Sequence, residues 1–414
     1  MKYGEKTMLK KMIVTFVFAT GIFSLTCDRI FTVQPVEKQE PRELTALEKS
    51  LTQTTNTFGC NLFRAMVQDQ PDSNIFISPL SVSIALGMTA NGAAGTTLED
   101  MRQVLALGSL TENEVNSAYQ SIMEFLIGLD PQVHLDIANA IYYRLGYPVL
   151  QDFIDINQTY FDAEVSELDF SLPTAIDVIN GWVEDNTNGL IDEIIQEIDP
   201  LTVMFLLNAI YFKADWTYRF EESETVDAQF NTPAGQVPCH MMSQEGTFSY
   251  FENADFQTVD LPYGNGRFSM TLFLPKQPQT VDEIIADFTP ENWALWTEQL
   301  DSMTVTVQLP RLLIEYERKL NDVLKAMGME IAFSGGADFT RINPGGDLYI
   351  SMVKHKSFLE VDETGTEAAA VTIVEIRELA SNTIMRMDRP FLFVIRETES
   401  NTILFMGKII NPES

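Results

Sequence analysis

The sequence has little of what catalysis or metal binding usually requires. Its 414 residues include three cysteines and three histidines, and the histidines are His134, His240 and His355. None of them has the HExxH spacing of a zinc-binding helix, and the sequence contains no paired CxxC motif. A GxSxG nucleophile elbow and a phosphate-binding P-loop are also missing. We therefore expect no metal, no cofactor and no enzymatic activity, and a carboxylate-based hydrolase is the alternative.

Basic residues are scarce as well. Lys and Arg number 27 against 59 Asp and Glu, which gives a formal net charge of −32. Such a chain repels polyanions, so a nucleic-acid partner is disfavoured. An internal repeat with a period of about 20–50 residues is absent, which argues against a solenoid. A hydrophobic content of 45% is ample for a large core.

The N-terminus has the pattern of an export signal. Two lysines precede the apolar run of residues 12–25, which is too short to favour a membrane span. Residues 1–27 are thus interpreted as a signal peptide and residues 28–43, rich in charge and proline, as a flexible tether. Cys27 lies in the sequence SLTCD, which resembles a bacterial lipoprotein signal. Two localisations stay open: plain secretion to the extracellular space, or an outer cell-envelope lipoprotein that touches the membrane only through lipidated Cys27.

Two cysteines remain beyond the signal, Cys60 and Cys239. An exported domain of this size does not need disulfide bonds for stability. Cys60 lies in an apolar stretch with helical spacing, which favours a buried free thiol. The sequence does not decide whether the two cysteines pair.

The hydrophobic pattern predicts helices early in the chain and mostly strands later. Ser78 before a proline is typical of a helix start, and Thr280 with Glu283 has the spacing of a capping box. Apolar residues alternate over residues 268–274, after an Asn-Gly turn, and again over residues 303–309. No low-complexity linker interrupts the chain. We predict one α+β domain spanning residues 44–412.

Separated blocks of this sequence resemble, in the same order, segments of the serpin family. They are residues 74–81 (NIFISPLS), 92–97 (GAAGTT), 179–183 (INGWV), 207–213 (LNAIYFK), 390–396 (PFLFVIR) and 403–408 (ILFMGK). The resemblance implies the serpin fold, with three β-sheets, about nine helices and an exposed reactive-centre loop. It also implies a monomeric inhibitor of serine-type endopeptidases, here of prokaryotic origin, that acts as a suicide substrate.

A further block resembles the hinge of the reactive-centre loop in inhibitory serpins. Its members are Glu363, Gly365, Thr366, Glu367, Ala368, Ala369 and Ala370. In such inhibitors this segment inserts between two strands of a sheet before the acyl-enzyme is hydrolysed. Small side chains enter the sheet at little steric cost, and glycine permits backbone angles that a Cβ would forbid.

The alternation of residues along this segment gives an independent argument. A strand inserted into a sheet must present small or apolar groups at every second position of its covered face. One set meets that condition, and its members are Thr366, Ala368, Ala370, Thr372, Val374 and Ile376. The other set contains Glu367, Glu375 and Arg377, and we expect it to face solvent. Val371, larger than is usual in the family, falls in that outer set, so it slows insertion at worst.

The resemblance also places the scissile bond. In inhibitory serpins it lies fourteen residues beyond the hinge glycine, which here is the Leu379–Ala380 bond. Leucine suits the apolar specificity pocket of a chymotrypsin-, elastase- or subtilisin-like protease. The expected partner is thus a serine protease, with a cysteine protease as an alternative. Cleavage at Arg377 by a trypsin-like protease would shorten the inserted segment and favour substrate behaviour.

Five more residues match positions that control sheet opening in the family. Ser78, Ser81, Asn208 and His355 resemble the shutter, where hydrogen bonds are exchanged as strands part, and Trp216 resembles the breach, where insertion begins. These roles are structural and involve no contact with substrate. The alternative within the family is a non-inhibitory serpin that acts as a binding or chaperone-like protein. Such members usually have bulky, charged or proline residues in the hinge, which this sequence lacks.

Overall fold

The structure, a computed structural model, describes residues 42–366 and 383–412. Within these residues it has nine α-helices. They are α1 (Ala46–Asp69), α2 (Pro79–Ala90), α3 (Gly95–Val104), α4 (Glu112–Leu126), α5 (Gln151–Phe161), α6 (Thr174–Asn186), α7 (Val281–Ala286), α8 (Pro290–Glu298) and α9 (Asn321–Leu324). In this part of the chain, no helix combines the length and the apolar character that crossing a membrane requires.

The strands form three sheets, as the sequence predicted. The strands are β1 (Ile75–Ile77), β2 (Val133–Arg144), β3 (Glu164–Leu168), β4 (Met204–Asp215), β5 (Val226–Thr232), β6 (Gly235–Glu252), β7 (Phe256–Tyr263), β8 (Phe268–Pro275), β9 (Asp301–Pro310), β10 (Leu312–Lys319), β11 (Lys354–Val361), β12 (Gly365–Thr366), β13 (Thr383–Arg386), β14 (Phe391–Glu397) and β15 (Ile403–Ile409). The largest sheet has the order β1-β15-β14-β8-β7-β6-β9-β13, with β5 paired to β6. A second sheet has the order β12-β4-β2-β3, and β10 pairs with β11 in the third. The α+β class is therefore confirmed.

Two helix starts form as the sequence patterns predict. The Ser78 hydroxyl accepts a hydrogen bond from the Ser81 amide, and α2 begins at the proline between them. At α7, the Thr280 hydroxyl accepts from the Glu283 amide, and the Glu283 carboxylate accepts from the Thr280 amide at 2.7 Å. The capping box thus satisfies donors that a helix end would otherwise leave without partners.

Strand β8 differs from its alternating pattern, because both of its faces are covered and all eight residues are buried. Its polar positions, Ser269 and Thr271, donate hydrogen bonds to the carboxylate of Asp260 at 3.0 and 2.6 Å. Asp260 in turn accepts from Arg396 at 2.9 Å. A buried polar network of this kind replaces solvent, which alternation in a single strand cannot reveal.

Both described cysteines are buried free thiols, as the sequence favoured. Burial raises the pKa of Cys60 to about 12, so its sulfur stays protonated at neutral pH. Over residues 42–366 and 383–412, no group of three or more His, Cys, Asp or Glu side chains is placed to hold a metal ion.

Candidate functional site

The second and third sheets are separated by a gap that lies between two of their strands, β4 of the second sheet and β11 of the third. Strand β4 pairs antiparallel with β2 along eleven residue pairs, and β11 pairs with β10 along eight. In the described part of the chain, β4 and β11 are not paired with each other. Residues of both strands line one cavity of about 650 Å³. The gap therefore has sheet edges on both sides, a geometry that can accept an additional strand.

One end of this gap, its head, is occupied by the start of the predicted hinge. Gly365 pairs antiparallel with Asp215, and Thr366 pairs with Ala214. The Asp362 amide also donates to the Gly365 carbonyl at 3.0 Å, which turns the chain back from the end of β11. The sequence predicts insertion from Gly365 onward only after cleavage, whereas its first two residues already lie in the sheet of the uncleaved chain.

Position 365 requires glycine for two reasons, the close approach of the β4 backbone and the backbone angle φ. A Cβ built there would lie 2.1 Å from the carbonyl oxygen of Ala214 and 2.6 Å from the Cα of Asp215. Real Cβ atoms do not approach backbone this closely, and the φ of +155° is one that glycine adopts most readily. The close approach of β12 to β4 therefore depends on Gly365.

Thr366 is buried among aromatic residues at the head of the gap, with 5% of its surface exposed. Its hydroxyl shares a hydrogen bond of 2.9 Å with the hydroxyl of Tyr263. The Tyr263 ring stacks on Trp216, with centroids 4.4 Å apart, and the Trp216 indole donates to the carbonyl of Asp362 at 3.0 Å. The predicted breach residue thus lies directly against the hinge.

Glu363 holds the hinge to two connecting residues, Arg311 between β9 and β10 and Thr225 just before β5. Its carboxylate accepts two hydrogen bonds from the Arg311 guanidinium, Nε at 2.9 Å and Nη2 at 2.7 Å, and a third from Thr225 at 2.5 Å. Burial raises the pKa of Glu363, but the hydrogen bonds from Arg311 and Thr225 outweigh it, and the net pKa is lowered. Sequence reasoning missed Arg311, Thr225 and Tyr263, because they are far away in sequence and belong to no motif.

The predicted shutter residues divide between the two sides of the gap. His355 on β11 accepts a hydrogen bond of 3.2 Å at Nε2 from the Ser78 amide, which places it beside the start of α2 that Ser78 and Ser81 form. Burial lowers the pKa of His355 to about 4, so the ring is neutral at pH 7. Asn208 on β4 instead donates to Asn139 at 2.8 Å. Its buried Oδ1 has no hydrogen-bond partner among the described residues.

The remaining predicted site residues lie outside the described residues. They are Cys27, Glu367, Ala368, Ala369, Ala370, Leu379 and Ala380. Their assignments stay predictions from the sequence.

Comparison with known proteins agrees with this arrangement. The family model described as serpin (serine protease inhibitor) matches residues 53–412. The chain therefore belongs to the serpin family. It is 36% identical over 378 residues to an uncharacterized serpin-like protein of Thermococcus kodakarensis, with 88% of this chain and 87% of that protein covered.

Solved structures of serpins have the same fold. The chain is similar to tengpin, a thermophilic serpin in the native state, with a TM-score of 0.82 and 31% identity over 90% of this chain and 96% of that one. It is similar to human thyroxine-binding globulin in complex with thyroxine, with a TM-score of 0.82 and 30% identity over 89% of this chain and 100% of that one. The Thermococcus kodakarensis relative is uncharacterized and the second structure is of thyroxine-binding globulin, so membership of the family does not by itself establish inhibition.

Proposed function

We propose that this serpin inhibits a serine protease as a suicide substrate. The protease attacks the carbonyl of Leu379 and forms an acyl-enzyme, with Ala380 as the new N-terminus of the released peptide. The loop from Gly365 then inserts between β4 and β11 and carries the bound protease with it, so that the acyl-enzyme is not hydrolysed. The observation that carries this proposal is the pairing of Gly365 and Thr366 with β4 at the head of the gap.

The register of that pairing supports insertion of the whole segment. Continued in the same antiparallel sense, it places residues 366–376 opposite residues 204–214 of β4. Directly opposed residues share a face of the sheet. Ala214 and Phe212, and Leu135 of β2 beside them, belong to the main core. The uncharged set that begins with Thr366 would therefore face the core, as the alternation requires.

Polar side chains in the middle of the gap support the same register of the inserted loop against β4. Opposite β4, Thr372 would lie beside Asn208, whose Oδ1 has no partner among the described residues. The turn between Asp362 and Gly365, continued along β11, would place the same Thr372 opposite His355. The inserted threonine hydroxyl could then donate to the amide oxygen, and satisfying a buried acceptor of this kind favours the inserted state.

Incubation with chymotrypsin, elastase, subtilisin and trypsin tests the proposal. We expect an SDS-stable band at the summed mass with one of the first three enzymes, and a released peptide that begins at Ala380. Cleavage at that bond without a covalent complex would contradict inhibition. A peptide that begins after Arg377 would instead move the reactive bond to the trypsin-like alternative.

A second candidate is a non-inhibitory binding protein. The gap encloses a cavity of about 650 Å³, and one similar structure is a serpin in complex with a small hormone. A protein of this kind would be cut in the loop without trapping the protease, so the same incubation separates the two functions. Purified protein that hydrolysed a peptide substrate would favour the hydrolase alternative.

The proposed site of action is outside the cytoplasm. The export signal of residues 1–27 supports secretion or, if Cys27 is lipidated, attachment to the outer cell envelope. Labelling with a radioactive fatty acid in a bacterial host distinguishes the two, because only the lipoprotein retains the label and only there does Cys27→Ser abolish it.

A further inference from the structure

The outer face of the gap is covered by an apolar surface. Four buried side chains, Val183 of α6 with Ile191, Ile194 and Ile195 of the segment that follows it, pack on the side of β4 opposite to the main core. We call these four residues the outer apolar cluster. All four also line the cavity between β4 and β11. An inserted strand would therefore have apolar side chains on both of its faces and not on one only.

The outer apolar cluster is held across the gap by hydrogen bonds from both sides. On α6, the Asn180 amide oxygen accepts from the backbone amides of Ile194 and Ile195 at 2.9 and 3.0 Å. On β11, the Lys356 ammonium donates to the carbonyl of Glu193 at 3.3 Å. The cluster is thus fixed to α6 and to β11, and it spans the gap that the loop would enter.

The β4 register identifies the residues of the loop that would meet this cluster. Val371 falls opposite Ala209, and Ile373 falls opposite Leu207, which packs against the cluster. We propose that, after cleavage, Val371 and Ile373 dock against the outer apolar cluster and stabilise the inserted strand from its outer face. This inference rests on the insertion mechanism proposed above. It differs from the sequence-based expectation that the outer set faces solvent and that Val371 slows insertion at worst.

The charged residues of the outer set fall at the two ends of the covered stretch. Glu367 would lie opposite Lys213, whose neighbour on β2, His134, is 65% exposed in its side chain. Glu375 would lie opposite Phe205, which packs against the same apolar residues as Leu207, and next to position 352 of the chain, which is 40% exposed. Val371 and Ile373 thus match the covered part of the outer face, and Glu367 matches an open end. Glu375 falls at the margin, between Phe205 and an exposed neighbour.

Thiol labelling before and after loop cleavage tests this docking. Single cysteines are introduced as Glu367→Cys, Val371→Cys and Thr372→Cys into a chain with Cys27→Ser, in which Cys60 and Cys239 are buried. The loop is cut with thermolysin, a metalloprotease that forms no acyl-enzyme, and iodoacetamide labelling rates are compared. Burial under a stable surface slows labelling by at least about tenfold.

We expect cleavage to slow labelling of Val371→Cys and Thr372→Cys by at least about tenfold and that of Glu367→Cys by less than about twofold. If Thr372→Cys is protected while Val371→Cys stays reactive, the strand inserts with an open outer face, and the docking is wrong. If Thr372→Cys also stays reactive, insertion itself fails, and the proposed function fails with it.

A stability measurement gives a second readout that needs no new thiol. The double variant Val371→Ser, Ile373→Ser is expected to lower the urea midpoint of the cleaved protein and to leave that of the intact protein unchanged. Val374→Ser, from the inner set, is the matched control for insertion and is expected to lower the cleaved midpoint as well. A loss in the control alone would overturn docking of the outer pair.

Discussion

The head and the middle of the gap between β4 and β11 are built in opposite ways. At the head, hydrogen bonds join Glu363 to Arg311, Trp216 to Asp362 and Thr366 to Tyr263, and β12 is already paired. In the middle, the two strands are not paired with each other within the described residues, and Asn208 retains a buried acceptor without a partner. Among the described residues, hydrogen-bonding groups along the gap thus have partners at its head, whereas the facing edges of β4 and β11 lack them in its middle.

This difference indicates which interactions would favour the intact state and which would supply the free energy of loop insertion. Interactions at the head stabilise the intact state and fix the point at which the loop enters. Polar groups and strand edges in the middle gain their partners only when a strand arrives, so they stabilise the inserted state. An intact state that persists although a better-bonded state exists is kinetically stable, and its lifetime depends on the barrier at the entry point.

The largest effect is expected from Thr366→Arg at the head. Thr366 is already buried opposite Ala214, so a guanidinium at this position is excluded from the sheet of the intact protein. It must still enter an apolar site without a partner when the loop inserts. Insertion should then be slower than hydrolysis of the acyl-enzyme. We expect the yield of SDS-stable complex to fall by at least about tenfold while loop cleavage continues.

Glu367→Arg is the matched control for that experiment, since it makes a charged side chain of the same size at the next position, in the outer set. We expect it to retain most of the complex. If Thr366→Arg also forms wild-type amounts of complex, the head of the gap does not control entry of the loop. The contrast between the head and the middle would then be wrong.

A large loss of stability is expected from Arg311→Ala, also at the head. It leaves the carboxylate of Glu363, 6% exposed, without its charged partner. Truncating one member of such a pair lowers the free energy of unfolding by roughly 2–4 kcal/mol at pH 7. Because the pKa of Glu363 is lowered in the folded state, this contribution is present above its ordinary value of 4.5 and is lost as the pH falls through the lowered pKa.

The surface pair of Arg318 and Asp69, with side chains 33% and 41% exposed, supplies the control. Arg318→Ala should cost less than about 1 kcal/mol in the same urea titration. Equal losses in the two variants would show that the hinge carboxylate is stabilised no more than an ordinary surface charge.

Sequence reasoning singled out the hinge segment but none of the partners of Glu363. Gly365, Thr366 and Trp216 each belong to a block of neighbouring residues with a recognisable pattern, and the folded chain brings them together at the head of the gap. Their roles as hinge and breach stay predictions. Arg311 and Thr225 contact Glu363 across 52 and 138 positions of sequence. No sequence motif connects single residues so far apart. Only the folded chain therefore reveals the ion pair of Arg311 with Glu363 and the hydrogen bond from the Thr225 hydroxyl.

Alternation had a similar limit. It separates the two faces of a strand, but it does not show whether the second face is covered. All eight residues of β8 are buried, including the polar Ser269 and Thr271. The outer set of the loop was assigned to solvent on the same reasoning, whereas the outer apolar cluster lies on that side of β4. Coverage depends on how α6 packs, which is a tertiary property.

The middle of the gap should make stability depend on pH through His355. The unfolded histidine binds a proton below about pH 6.5, but the buried ring does so only below about 4. Between these values the unfolded state binds more protons, so the free energy of unfolding falls by about 1.4 kcal/mol per unit as the pH decreases. His355→Asn should reduce this slope between pH 6.5 and 5, measured by urea titration relative to wild type.

His134→Asn, which changes a histidine 65% exposed in its side chain and 2.7 Å from the carboxylate of Asp136, is measured beside His355→Asn as the exposed comparison. If His355→Asn keeps the wild-type slope, the folded ring binds its proton over the same pH range as the unfolded one. The middle of the gap would then hold a charge below about pH 6.5 and would not be the neutral, unsatisfied region described above.

The smallest effect is expected from Tyr263→Phe, which removes only the hydroxyl that bonds to Thr366 and keeps the ring stacked on Trp216. Loss of one buried hydrogen bond costs about 1 kcal/mol. Because Thr366 is already in the sheet, the bond should persist after the loop is cleaved, so intact and cleaved proteins should lose the same amount. Tyr218→Phe, 58% exposed, should change neither form. A loss confined to the intact protein would mean that Thr366 leaves its place when the loop inserts, and the head would then be a latch that opens rather than the fixed start of the new strand.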